Sequence, residues 1–296
     1  MSILGLLKFI ANHPLTKDSR YRSLARVVKW QIASRLAPGA IVYEWINGAK
    51  FLVKAGETGL TGNIYTGLHE FPEMGYLLHV LRDDDLFVDV GSNVGSYTIL
   101  ASAAVGARGI AIEPVPYTHL KLVENMRINH LEHRVVCLNI AVGKEAGLVS
   151  FTGDLDTANH VVASSEHPAK SIQVEVRTLD DVLLEEIPAV MKIDVEGYET
   201  PAIEGAQAIL RNNKLHSVIM ELNGGGNRYG YDESRIVQMM FDHGFRTYAY
   251  DPLERRLTNL SGRNQASDNT LFIRNAGLVK ERLANSRNIS IFGKEF

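Results

Sequence analysis

A single cysteine in 296 residues, Cys137, leaves the chain unable to close an internal disulfide. A disulfide-stapled scaffold is therefore excluded, and a reducing, cytoplasmic setting is expected. Long apolar runs are also missing, and none approaches the roughly 20 residues that span a bilayer. The apolar stretch 3–11 is short, is interrupted by Lys8 and precedes no small-residue cleavage site, so it does not read as a secretory signal. The ten histidines show neither an HxH nor an HExxH spacing, which argues against a zinc centre. No GxSxG nucleophile elbow occurs, which argues against the hydrolases that use one. Internal repeats and low-complexity linkers are absent. Net charge is only −3 while 45% of residues are hydrophobic, which excludes disorder as the main state.

The small net charge conceals an asymmetry. Residues 1–40 hold seven basic side chains (Lys8, Lys17, Arg20, Arg22, Arg26, Lys29, Arg35) against one acid, Asp18. Residues 253–296 hold eight basic against four acidic side chains, so the centre of the chain is acidic. An acidic centre disfavours nucleic acid as a partner. The basic N-terminus reads either as a solvated helical lead-in or as a peripheral contact to an acidic partner or to anionic lipid at the inner face of a membrane.

The length suits one large α/β domain with extensions. Residues 1–37 read as one or two helices ended by Pro38-Gly39, and 41–53 as a hairpin turning at Asn47-Gly48. A Gly- and Thr-rich loop, 56–67, leads to a helix over 70–81 with Pro72 in its first turn. Strands and helices then alternate. Strands are expected at 86–90, 109–113, 135–139, 189–194, 218–222, 246–250 and 270–273. Helices are expected at 96–104, 118–129, 201–210 and 233–243. Two extended pieces, 148–152 and 172–177, flank a long polar loop, 153–171. This order predicts a mostly parallel seven-stranded α/β sheet covered on both faces, with ligands at the C-terminal edge of the strands. We divide the chain into an N-terminal helical and hairpin extension (1–55), a main domain (56–275) and a C-terminal tail (276–296).

The segment Phe87-Val88-Asp89-Val90-Gly91-Ser92-Asn93-Val94-Gly95-Ser96-Tyr97-Thr98 runs a buried strand through a tight turn into a helix. Gly91 permits the turn and a close approach of the backbone to a ligand. Gly95 permits close helix–strand packing. A helix start also offers free N–H groups to a negative group. The dinucleotide fingerprint would need glycine where Asn93 and Ser96 stand. Glu113 ends the next strand, where a carboxylate can accept both hydroxyl hydrogen bonds of an adenosine ribose. Ile140 is placed to pack on an adenine ring, and Asn139 either reads the ring's edge or caps the strand.

A second cluster, Lys192-Ile193-Asp194-Val195-Glu196-Gly197-Tyr198-Glu199, follows the fourth strand. Period two puts Lys192, Asp194 and Glu196 on one side if the strand continues that far. Lys192 needs a partner inside an apolar strand, and Asp194 is the natural one. Glu199 falls in the first turn of the next helix, where a carboxylate suits the dipole. Such a cluster can position and deprotonate a hydroxyl, or hold a divalent cation such as Mg through Asp194, Glu196 and Glu221. The alternative is a helix cap with one ion pair. His160, in the polar loop, reads either as a base reaching the acceptor or as an exposed loop residue. The 224–226 glycines form either a substrate lid or a plain connection. Tyr229 and Tyr231 either stack on a sugar face or simply pack.

Together these segments resemble the FkbM family of S-adenosylmethionine (SAM) dependent methyltransferases. The residues that carry the resemblance are Asp89 to Gly95, Ile112-Glu113-Pro114, Asn139-Ile140-Ala141-Val142-Gly143, Thr178-Leu179-Asp180-Asp181 and Lys192 to Glu199, with the helix entry His69-Glu70-Phe71-Pro72-Glu73. The resemblance covers about residues 60–250. It implies a class I, Rossmann-like methyltransferase sheet, SAM as donor, and a hydroxyl of a sugar, glycan or natural product as acceptor. By matched position it implies that Asp89, Gly91, Asn93, Gly95 and Glu113 contact SAM. Lys192, Asp194, Glu196 and Glu199 then face or support the methyl-transfer site, and Glu70 closes over the cofactor or merely starts its helix. Two other functions stay open on the sequence: a nucleotide- or NAD-binding oxidoreductase, and a non-catalytic SAM-binding protein.

Overall fold

Two helices, α1 (Ile3–Asn12) and α2 (Arg20–Leu36), open the chain and are followed by a hairpin, β1 (Ile41–Glu44) and β2 (Lys50–Val53). This computed structural model describes residues 3–37, 39–54, 60–152, 159–163, 166, 168, 170–184 and 186–296. Pro38, residues 56–59 of the loop expected at 56–67 and residues 153–158 of the polar loop lie outside them; the rest of the first loop is not irregular, since Thr61–Thr66 is helical. The hairpin turns where expected: Asn47 (φ 51°) and Gly48 (φ 81°) are both left-handed, the geometry that matches strand twist. Its outer edge is not left unpaired. The Asn125 and Asn129 side chains accept hydrogen bonds from the Leu52 and Lys50 backbone N–H groups at 2.7 and 2.8 Å. Phe51 and Val53 pack with Ile10, Trp30, Leu122 and Met126 in one apolar cluster.

Two helices, α3 (Thr61–Thr66) and α4 (Phe71–Val80), lead into the alternating region. There β3 (Leu86–Val90), α5 (Ser96–Ile99), β4 (Arg108–Ile112), α6 (Pro116–Ile128) and β5 (Val135–Leu138) follow one another. The helix expected over 96–104 is α-helical only to Ile99. A π-helical stretch, Leu100–Val105, completes it, and the Ala101 carbonyl accepts from both Gly106 and Ala107. A small second sheet joins β6 (Ala141–Val142), β7 (Gly147–Thr152) and β8 (Ser171–Arg177), so the two extended pieces pair with each other. Past α7 (Leu179–Leu183) come β9 (Val190–Ile193), α8 (Glu199–Glu204), α9 (Gln207–Arg211), β10 (Ser217–Glu221) and α10 (Glu233–Asp242). The single helix expected over 201–210 is two, because Gly205 breaks it where a side chain would strike the Gly143 carbonyl. The chain closes through β11 (Arg246–Asp251), β12 (Arg256–Asn259), β13 (Asn269–Ile273) and α11 (Ala276–Ala284).

The main sheet has the order β12-β11-β13-β10-β9-β3-β4-β5. All pairings from β10 to β5 are parallel, and those involving β11, β12 and β13 are antiparallel. The seven expected strands are present, and β12 adds an eighth at the exposed edge. Period two assigns the faces. Phe87, Val190 and Ile219 point to the side covered by α4 and α11, and Val88, Met191 and Val218 to the side covered by α8, α9 and α10. No helix among the described residues is long and apolar enough to cross a membrane.

Candidate active site

β3 and β9 lie side by side, and the chain order reverses there: β4 and β5 continue to one side, β10 to the other. Ligands of open α/β sheets bind in the crevice beyond such a reversal. A cavity of about 1210 Å³ opens at this point. It is lined by Asp89, Gly91, Ser92, Asn93, Glu113 and Ile140 from the β3–β5 edge, and by Lys192, Asp194 and Glu196 from the exit of β9.

The glycine turn is held by the strand beside it. The backbone N–H groups of Gly91 and Ser92 both donate to the Ile112 carbonyl at 3.0 Å. Gly91 is left-handed (φ 77°), and a side chain there would collide with the Asp194 carbonyl. What Gly91 approaches closely is therefore the exit of β9. Gly91→Ala is expected to destabilise the fold by about 2–4 kcal/mol, from a strained φ plus a backbone clash. A thermal melt followed by circular dichroism checks this, and an unchanged melting temperature would contradict it. Gly95 (φ 92°) is similarly confined, but by α6: its missing Cβ would lie 2.7 Å from Leu122 Cδ1. Asn93 is left-handed as well (φ 51°), and its side chain accepts from the Val94 N–H at 2.7 Å.

Glu113 is buried at the end of β4. Its two oxygens accept one backbone N–H each, from Val115 at 2.9 Å and from Asn93 at 3.0 Å. Each oxygen keeps a lone pair for another donor. Burial pushes the carboxyl up to about 7. Asn139 does not line the cavity. Its amide donates to the carbonyls of Glu113 and Pro114 at 2.8 and 2.9 Å, tying the exits of β4 and β5 together.

Asp89 and Lys192 face each other in register across β3 and β9 on the α4 side of the sheet. Asp89 accepts from the Thr98 hydroxyl at 2.6 Å and from the Thr98 N–H at 3.1 Å. Lys192 is buried, and its ammonium donates to Asp194 at 2.6 Å, as the sequence suggests. Burial alone would lower the lysine's pKa, but the carboxylates of Asp194, Glu70 and Asp89 outweigh it and hold it above its ordinary value. β9 ends at Ile193, so strand periodicity does not reach Glu196. A left-handed turn at Glu196 (φ 55°) and Gly197 (φ 97°) nevertheless brings Asp194 and Glu196 to the same cavity. Burial, then the neighbouring Asp194, raises the Glu196 carboxyl, with Arg228 opposing. Glu199 is not in the cavity wall. It clasps the turn by accepting from the Val195 and Gly197 N–H groups at 3.1 and 3.2 Å.

Residues 89–247, more than half of the chain, match the methyltransferase FkbM domain. The chain belongs to the FkbM methyltransferase family. It is 31% identical over 153 residues to the hexuronic acid methyltransferase AglP of Haloferax volcanii, a match covering 50% of this chain. The match spans about 60% of that relative's length. Among solved structures it resembles the methyltransferase FkbM of Methylobacillus flagellatus KT, at TM-score 0.44 and 17% identity over 72% of this chain and 52% of that one. It also resembles P. horikoshii TYW2 in complex with MeSAdo, at TM-score 0.41 and 18% identity over 81% and 73% of the two chains.

The other candidate residues take definite places. Glu70 starts α4 and accepts from Tyr97 and from Asn269, both at 2.7 Å. The Lys192 ammonium lies 4.8 Å from the centre of the Tyr97 ring. Glu73, beside Glu70, is pushed up to about 7 by burial and by that like charge. His160 is buried, not an exposed loop residue. It lies 3.3 Å from Glu166 in the small-sheet lobe and is not in the cavity wall. Residues 225–229 form a 3-10 turn whose backbone packs directly on Gly197, so the glycine segment is seated against the β9 exit. Tyr198, Tyr229 and Tyr231 pack on one another, with ring centres 5.4 to 6.4 Å apart.

A divalent cation, the alternative role for Asp194, Glu196 and Glu221, finds no fit among the described residues. No three acidic, histidine or cysteine side chains among the described residues converge to hold one. The physical reason is the Lys192 ammonium, which already neutralises Asp194. Glu221 lies outside the cavity wall, and burial together with Asp194 and Glu196 raises its carboxyl. Sequence reasoning gave Ser92 no role. Its hydroxyl is buried in the cavity wall with no hydrogen-bond partner among the described residues. Only its place between Gly91 and Asn93 could have marked it.

Proposed function

We propose that the chain is a SAM-dependent O-methyltransferase acting on a hydroxyl of a sugar, glycan or natural-product acceptor. The observation that carries this is the meeting, in one cavity, of Glu113 and the 91–95 turn with the carboxylates of Asp194 and Glu196. The residues present fit the cofactor. Glu113 retains acceptor capacity for two ribose hydroxyls, the Ser92 hydroxyl has no partner among the described residues, and Ile140 offers an apolar wall for a base. When bound, SAM supplies a methyl group whose C–S bond breaks as the acceptor's O–C bond forms.

Glu196 is the base of this reading. It lines the cavity, forms no ammonium pair among the described residues, and its carboxyl, raised by burial and by Asp194, is a stronger base than an ordinary glutamate. Asp194, paired with Lys192, orients the hydroxyl and holds negative charge beside it without taking the proton. Glu199 is a positioning residue that fixes the turn bearing Glu196. Residues 56–275 carry the catalysis, and residues 1–55 wall the cavity. AglP, by its name, methylates a hexuronic acid, which supports a sugar acceptor here.

The test is titration calorimetry with SAM and S-adenosylhomocysteine (SAH), followed by transfer of labelled methyl to a panel of sugars and glycans. Glu196→Gln is expected to lower kcat by roughly 100-fold with SAH affinity unchanged. A folded protein that binds neither SAM nor SAH would overturn the reading.

A further inference from the structure

A helix on the surface of a folded domain turns its apolar side inward and its polar side to water. α2 is apolar on both sides. Inward, Leu24, Val27 and Trp30 pack in the cluster that holds the hairpin. Outward, Tyr21, Val28, Ile32 and Leu36 are 90, 57, 56 and 80% exposed, while Ser23 and Ser34 are buried. Ala25 is exposed as well. Tyr21, Ala25, Val28, Ile32 and Leu36 follow one another in steps of four, three, four and four residues. At about 3.6 residues per turn, such steps set all five on one line, a stripe about 22 Å long. Exposed apolar residues scattered singly are ordinary, but aligned over the length of a helix they mark a docking surface. Cations flank the stripe. Arg22 and Lys29 each follow a stripe residue by one position, which puts both on the same flank, and Arg35 lies on the opposite one. All three are exposed. Neither α1 nor α2 carries an acidic residue, and the one acid between them, Asp18, is paired with Lys294 at 2.6 Å. α1 packs on α2 and exposes Leu4, Leu7 and Lys8.

We propose that the outer face of α2 docks on the surface of an anionic bilayer. The stripe enters the boundary between headgroups and acyl chains, and Arg22, Lys29 and Arg35 lie among the headgroup phosphates and carboxylates. Charge selects this occupant over a second copy of the chain. A two-fold pairing of α2 on α2 would set basic flank against basic flank, with no acid on either helix to offset them. Headgroups of negative charge complement the same flanks. No helix among the described residues is long and apolar enough to cross a membrane, so the contact is lateral, along the helix axis. The proposal stands apart from the methyltransferase reading, because Tyr21, Ile32 and Leu36 lie outside the cavity wall.

The experiment is sedimentation of the full chain with two kinds of vesicle, phosphatidylcholine alone and phosphatidylcholine with roughly one third phosphatidylserine. The chain is expected to pellet with the anionic vesicles and to bind the neutral ones at least roughly tenfold more weakly. Added salt should weaken the anionic binding. The double variant Ile32→Ser, Leu36→Ser should lower the partition coefficient at least roughly tenfold. The double variant Arg22→Gln, Lys29→Gln should lower it by a similar factor on anionic vesicles alone. All four side chains are exposed, so circular dichroism and the melting temperature should match the parent. In a third variant, Ile32→Trp, the added indole should shift its emission to shorter wavelength when anionic vesicles are added. No pelleting with anionic vesicles, equal binding to both kinds, serine variants that bind like the parent, or an unshifted indole would each overturn the proposal. So would a dimer in analytical ultracentrifugation that the serine variants dissociate, which would assign the stripe to a second copy of the chain.

Discussion

Glu113→Ala is expected to raise the dissociation constant for SAH at least roughly 100-fold in calorimetry. A hydrogen bond to a charged group contributes about 1.5–3 kcal/mol, and a ribose offers two hydroxyls to one carboxylate. The variant also leaves the Asn93 and Val115 N–H groups without their acceptor, so the 91–95 turn loosens as well. Because burial holds the carboxyl at about 7, SAH affinity should fall as the pH drops from 8 to 6. Binding near pH 7 should also release protons, seen as a heat that depends on the buffer. Stability runs the other way. The folded protein keeps a proton between the ordinary value of 4.5 and about 7 that the unfolded chain gives up, so this group favours folding as pH falls through 7. Glu73 and Glu199, also at about 7, act in the same direction. The melting temperature of the ligand-free protein should therefore be higher at pH 6 than at pH 8. An alanine variant that binds SAH within threefold of the parent would show that the adenosine is held elsewhere.

Lys192→Met is expected to lower the melting temperature by roughly 10 °C, or to prevent folding. Methionine matches the apolar strand, so packing is not the reason. Lys192 is the counter-charge for Asp194, Asp89 and Glu70. Removing one partner of a buried pair typically destabilises by about 3–5 kcal/mol, because the other charge is left uncompensated. The double variant Lys192→Met, Asp194→Asn should recover part of the loss, since it removes the ion pair together. Differential scanning calorimetry of the single and double variants decides the matter. A single variant melting within 2–3 °C of the parent would mean that the carboxylates find other partners.

The strands and their order of use were readable because β3, β9 and β10 are short, apolar and bounded by turns. The edge strand β12 was not, since Arg256, Leu257, Thr258 and Asn259 are largely exposed and carry no apolar alternation. Strand periodicity puts Asp194 and Glu196 on one side only if the strand continues that far; β9 ends at Ile193, and a left-handed turn at Glu196 brings the two to one cavity instead. Asn139 and Glu199 drew attention through their positions in motifs, and both turn out to be bound to backbone groups outside the cavity wall. Such partners depend on which loops the sheet brings together, and residue type alone does not specify them. The helices α1 and α2 read as a lead-in because cations are scattered along the segment, and it is the packing of Ile10 and Trp30 with the hairpin and α3 that turns one face inward.

Gly91 touches the Asp194 backbone, and the Asp194 N–H donates to Val90. The 91–95 turn and the 194–197 turn, which the proposed function assigns to the donor and the acceptor, therefore form one mechanical unit, although one follows β3 and the other β9. Any coupling that a shared unit carries between two ligands is reciprocal. Whatever factor SAH imposes on acceptor affinity, the acceptor must impose on SAH. Product inhibition would then carry the imprint of the acceptor, and patterns of inhibition by SAH at varied acceptor concentration would measure the coupling directly.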